Sequence, residues 1–90
     1  MAQVSQKHYD FTRFQTPDLT KAKISLILVY AEEEGFSGEM LFSIKPEVFD
    51  QMKKEGGLEE IKYSHSKDYI QNIEYEERDE KVYLKITVKP

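Results

Sequence analysis

Carboxylates are the most abundant reactive groups in this chain, and they come in runs: Glu32-Glu33-Glu34, Glu59-Glu60, and Glu74, Glu76, Glu77, Asp79 and Glu80. A carboxylate pair does acid–base work when one member is desolvated and its pKa raised. All three runs fall in stretches that read as loop, turn or wet sheet face, where nothing supplies that desolvation. Glu32 to Glu34 can be considered for a divalent cation, but adjacent side chains diverge and the spacing of a calcium loop is absent. His8 and His65 are far apart. Ser64 and Ser66 flank His65, a hydroxyl–imidazole pairing in composition only, because a catalytic triad is a matter of geometry. Two histidines without a cysteine do not make a structural zinc site, and the lack of cysteine also removes disulfides and a thiol nucleophile. Gly35-Phe36-Ser37-Gly38 lacks the lysine and the helix start that a phosphate cradle needs, so it reads as a hairpin loop. The expectation is a chain with no catalytic residue, no metal and no cofactor.

One stretch is ordered by residue type. From Lys81 to Lys89 the odd positions are Lys81, Tyr83, Lys85, Thr87 and Lys89, and the even positions are Val82, Leu84, Ile86 and Val88. A period of two with one aliphatic side predicts a strand with one face on a core and one in water. The wet side is a basic stripe around one aromatic. Sheet faces of that kind stack single-stranded bases when two or three aromatics lie together. Here the neighbouring strand brings Glu74 and Glu76, which cancel the attraction.

The elements that must position these groups follow from 90 residues, enough for one small domain. Hydrophobic residues are 39% and charged residues 33%, which suits a thin core and is too apolar for a disordered chain. Net charge is −4, which repels duplex nucleic acid in the absence of a dominant basic face. Met1 to Asp10 has no apolar h-region, so no signal peptide is expected. Leu26 to Ala31 is the longest apolar run, far below the ~20 residues that cross a bilayer. The expected compartment is the cytoplasm, with no membrane contact.

Residues 1–7 read as a loose tail and His8 to Phe14 as a short strand. Thr16-Pro17-Asp18-Leu19-Thr20 reads as a turn. In Lys21 to Ala31, Ile24, Leu26, Leu28 and Tyr30 alternate with Ile27 and Val29, which predicts a central strand covered on both sides. The loop Glu32 to Gly38 then joins it in a hairpin to a strand from Glu39 to Lys45, with Met40, Phe42 and Ile44 inward. Pro46 opens a helix with Val48, Phe49 and Met52 on its apolar stripe, and Gly56-Gly57 stops it. Leu58 and Ile61 fit a further helical turn after that break, and Tyr63 to Asp68 reads as loop. Tyr69 to Glu77 is a strand that turns back into the last one. Matching apolar faces leaves two registers. A two-residue loop at Arg78-Asp79 sets Tyr75 opposite Val82, and a four-residue loop from Arg78 to Lys81 sets Tyr75 opposite Leu84 and Glu74 opposite Lys85. A slip by one residue, with Glu76 opposite Val82, is excluded unless a bulge intervenes.

The predicted fold is α+β: an antiparallel sheet of four or five strands with a single helix on one face, in the order (β)ββαββ. The predicted function is a small acidic, non-enzymatic module that binds another protein, a basic one by charge. Its candidate contact residues are Phe36, Glu74, Glu76, Asp79, Tyr83 and Lys85. Phage-type inhibitors and toxin-neutralising proteins resemble it in size and charge only. Two other classes stay open. One is a single-strand nucleic-acid binder using Tyr83, Lys85 and Lys89, and the other is a self-assembling subunit, with a sheet edge as the homodimer contact.

Overall fold

The computed structural model describes residues 5–63 and 68–89. The element order is β1 (Gln6–Asp10), α1 (Pro17–Glu34), β2 (Gly38–Ile44), α2 (Pro46–Lys54), α3 (Gly57–Tyr63), β3 (Ile70–Arg78) and β4 (Lys81–Val88). The class is α+β as expected, but among the described residues three helices cover the sheet instead of one, and the order is βαβααββ. The sheet has four strands in the order β1-β2-β4-β3. It is mixed: β1 runs parallel to β2, whereas β2–β4 and β3–β4 are antiparallel.

The main correction concerns Lys21 to Ala31, which lies inside α1. The expected turn at 16–20 is the start of that helix. Thr16 is extended (φ −126°, ψ 147°), and its Oγ1 accepts a hydrogen bond from the Leu19 N–H at 3.3 Å. Pro17 occupies the first turn, where its missing N–H costs nothing, and Asp18 suits the positive end of the helix dipole. At the other end Gly35 adopts a left-handed φ of 74°. Its N–H bonds the Glu32 carbonyl at 3.1 Å and the Phe36 N–H bonds the Ala31 carbonyl at 2.9 Å, which is the Schellman closure. Glu32 to Glu34 are therefore the last helical turn and not a loop. The hairpin expected between 21–31 and 39–45 does not exist. The helix is instead the crossover that a parallel β1–β2 pair requires.

Period-two reading failed here because α1 is apolar on both of its faces. Thr20, Ile24, Leu28 and Ala31 are buried at helical spacing, while Leu19, Leu26, Val29 and Tyr30 are exposed. With both sets apolar, neither period stands out in the sequence.

β1 begins at Gln6, within the stretch expected to be a tail, and it ends at Asp10 rather than Phe14. The Thr12 N–H and hydroxyl bond Asp10 Oδ1 at 3.0 and 2.6 Å and turn the chain there. Gly38 opens β2 with φ 151° beside Ser5, whose carbonyl would collide with any Cβ at that position.

Met40, Phe42 and Ile44 of β2 and Val82, Leu84, Ile86 and Val88 of β4 are all buried beneath the helices. Phe42 stacks on Tyr9 at 5.1 Å between ring centroids and meets Phe11 at 5.3 Å. α2 starts at Pro46 as expected and buries Val48, Phe49 and Met52. Gly56 takes a left-handed φ of 72°, and α3 follows and buries Ile61. Tyr63 ends α3, and the remainder of the expected loop, with His65, lies outside the described residues up to Asp68.

A period-two and a helical reading of 21–31 differ in one measurable way. Leu26 and Leu28 would share a strand face, but in α1 Leu28 is 0% exposed and Leu26 46% exposed. Leu28→Ala is expected to cost ~2–5 kcal/mol in urea unfolding, as buried leucine truncations do. Leu26→Ala is expected to cost less than ~1 kcal/mol of monomer stability. Equal losses at the two positions would contradict the helix.

Candidate functional site

The hairpin of β3 and β4 carries most of the candidate residues. Its register sets Tyr75 opposite Leu84 and Glu74 opposite Lys85, one of the two pairings that apolar matching allowed. Arg78 pairs with Lys81, so the connection is two residues, Asp79-Glu80, rather than the four first associated with this register. Asp79 and Glu80 have φ of 54° and 62°. Positive φ at both central residues is the turn geometry whose twist matches a two-residue hairpin. Near the other end, an irregularity between Ile70 and Asn72 shifts the pairing so that Ile70 meets Val88. This is the bulge that permits a one-residue slip, and it lets Tyr69 and Ile70, consecutive in the chain, both be buried.

Alternation then sorts the side chains. Those facing away from the helices form an open sheet face with Gln6 and His8 from β1, Glu39 and Leu41 from β2, Tyr83 and Lys85 from β4, and Glu74 and Glu76 from β3. A polar chain crosses all four strands on this face. The Gln6 amide donates to Glu39 Oε1 at 2.6 Å. Lys85 Nζ lies 3.6 Å from Glu39 Oε2 and 3.2 Å from Glu74 Oε2. The Asn72 amide donates to Glu74 Oε1 at 2.9 Å. The hydrogen bond from Lys85, then that from Asn72, holds the Glu74 carboxyl below the usual glutamate range. The same carboxylate, with Glu39 behind it, holds the Lys85 ammonium above the usual lysine range.

Beside this chain lies an open depression of about 290 Å³, lined among others by Leu41, Glu76, Arg78 and Tyr83. The Arg78 guanidinium sits over the Tyr83 ring at 4.8 Å. Glu76 is directly opposite Tyr83, and Asp79 stands at the tip of the turn.

Five of the six expected contact residues, Glu74, Glu76, Asp79, Tyr83 and Lys85, therefore share one hairpin. Phe36 does not join them. It is half-buried against the core, on the helix side of the sheet, with the Lys7 ammonium 4.6 Å from its ring centroid. Its backbone carbonyl accepts a hydrogen bond from the Tyr69 hydroxyl at 3.1 Å. Glu39, Leu41, Gln6 and Arg78 belong to the face but were not among the expected residues. Outward alternation in β2 marked Glu39 and Leu41 as wet, but only the strand order places them beside β4. Among the described residues no three His, Asp or Glu side chains are grouped to hold a metal ion, and no helix is long and apolar enough to cross a membrane.

Comparison of the chain with protein-family models, with curated proteins and with solved structures gave no match.

The Glu74–Lys85 pair defines a pH window. Glu74 titrates lower when folded than when unfolded, so its contribution is present above the unfolded value and lost as pH falls through the folded one. Lys85 titrates higher when folded, so its contribution is present below the unfolded value and lost as pH rises through the folded one. Both groups reach solvent, and the effect on stability is small. The sharper readout is a carbon-detected NMR titration, where Lys85→Met is expected to move the Glu74 midpoint upward. An unmoved midpoint would mean that the pair is not formed in solution.

Proposed function

We propose that this chain is a non-enzymatic module that binds another protein, as an inhibitor or adaptor, by receiving a basic segment at the tip of the β3–β4 hairpin and on the open face beside it. The observation that carries this reading is the turn itself. Asp79 and Glu80 both hold left-handed backbone conformations; aspartate is a residue this turn favours at its first central position, whereas Glu80 stands where glycine is preferred and is strained by about 1–2 kcal/mol. Asn-Gly would make the same turn with little strain. The chain instead keeps two carboxylates there, next to Glu76 and Glu77 on the adjoining strand. Strained backbone persists where surrounding structure holds it for a purpose, and ligand contact is a recurrent one. Tyr83, beneath Arg78, adds an aromatic ring to the same patch. Arg78 and Lys81 balance Asp79 and Glu80 at the turn, and Glu76 and Glu77 leave the end of the hairpin acidic, which steers a basic partner toward it.

Binding of single-stranded nucleic acid is less well supported. The lysine at the centre of the stripe, Lys85, is shared between Glu39 and Glu74, and Tyr83 lies under Arg78 with Glu76 opposite. A stacking platform needs neighbouring aromatics and a net positive groove.

Two measurements test the reading. Glu80→Gly is expected to raise stability by ~0.5–1 kcal/mol in urea unfolding, because glycine accepts the left-handed conformation. Affinity capture on the immobilised chain is expected to retain a protein whose recovery drops at least about tenfold with Glu76→Lys plus Asp79→Lys, changes that leave the Lys85 ion pairs in place. Lys54→Glu, on α2, serves as the control and should not reduce recovery. A captured protein indifferent to the hairpin reversals would refute the site. Salt-sensitive binding of a single-stranded oligonucleotide would favour the other class.

A further inference from the structure

The solvent-facing side of α1 is apolar where a surface helix is ordinarily charged. Leu19 is 43%, Leu26 46%, Val29 41% and Tyr30 56% exposed, and Ala22 lies exposed between them. Leu19, Ala22, Leu26 and Val29 follow one another at spacings of three, four and three residues, which is the seam of a helix that pairs with another helix. The core does not need these residues, because Ile24, Leu28 and Ala31 meet it from the opposite side of the helix.

The charges beside the seam identify the occupant. α1 ends on Glu32, Glu33 and Glu34 with no basic residue in its last turn, although the C-terminal end of a helix dipole disfavours anions. Lys23 is exposed on the seam side nearer the N-terminal end. A lone helix is better served by the opposite arrangement. A second α1 laid antiparallel compensates for it. Each acidic end then lies beside the other helix's Lys23. A parallel pair would bring the two acidic ends together.

We infer that the exposed face of α1 is a self-association surface, and that it takes a second copy of this chain, antiparallel and related by a two-fold axis. Leu26 of one copy meets Val29 and Tyr30 of the other near the axis, and Lys23 of each approaches Glu33 of its mate. The contact is isologous, so each contact occurs twice. One helix about 27 Å long presents less than the ~800 Å² per partner of a standard interface, so the dimer is weak and its population depends on concentration. The open sheet face lies on the other side of the molecule and stays uncovered in the pair, so this surface is independent of the hairpin reading.

Sedimentation equilibrium on the full chain over about 10 µM to 1 mM, a range that spans weak affinities, tests it. The expected result is a mass rising from 10.6 kDa toward twice that value. Leu26→Glu is expected to raise the dissociation constant at least about tenfold, with an unchanged far-ultraviolet circular dichroism spectrum because the side chain is outside the core. Should that variant unfold, Val29→Glu replaces it with the same expectation. Lys23→Glu and Glu33→Lys are each expected to weaken the dimer, and the two together to restore it. A strict monomer at 1 mM would overturn the inference, whatever else is found to bind α1. So would a dimer that Leu26→Glu and Val29→Glu leave intact, which would place the contact elsewhere, such as a sheet edge. A dimer that loses affinity with Leu26→Glu but not with either charge reversal would overturn the antiparallel arrangement.

Discussion

The burial of one face of β4 is the constraint on which the other features rest. β4 is an interior strand with β2 on one side and β3 on the other, and Val82, Leu84, Ile86 and Val88 all point under the helices. Because side chains alternate along a strand, that single commitment sends Tyr83, Lys85 and Thr87 to the opposite face. It also aligns both neighbours. Met40, Phe42 and Ile44 must face inward from β2, and a one-residue slip of β3 would drive Glu76 into the core. The position of Glu74 opposite Lys85 is a consequence of apolar burial on the other side of the sheet.

The open face is therefore built from residues that the core did not claim, and electrostatics organises them. Lys85 lies between carboxylates from both neighbouring strands, and Gln6 and Asn72 extend the chain of polar contacts to the two outer strands. Each contact is exposed and individually small. Together they restrict the orientation of long side chains that would otherwise sample many rotamers. The acidic groups of the hairpin tip, Asp79 and Glu80, and Glu76 beside them lie outside this chain of contacts.

On the helical side, α1 makes two kinds of contact with one element. Its inner face closes the core and its length carries the chain across to a strand parallel to the first. Its outer face keeps leucine, valine and tyrosine in water. A helix apolar all round fits an environment covered on both sides. The same reasoning made a central strand plausible for this segment. The structure gives coverage on one side only, with Leu26, Val29 and Tyr30 exposed, and it does so with a helix in place of a strand.

From sequence alone, the period of two in Lys81 to Lys89 determined a strand, its buried face and a choice of two registers for the hairpin, because alternation is a local property of backbone geometry. Pro46 and Gly56 likewise marked the limits of α2, since a fixed φ and a left-handed φ are written into single residues. Only the tertiary structure decided that 21–31 is helical, because apolar residues on both faces erase the periodicity and the flanking cap at Thr16 and closure at Gly35 had to settle it. Only the tertiary structure brought Glu39 to Lys85 and drew Phe36 away from the hairpin. Strand order and side-chain packing come from burying several elements at once, which no single segment encodes.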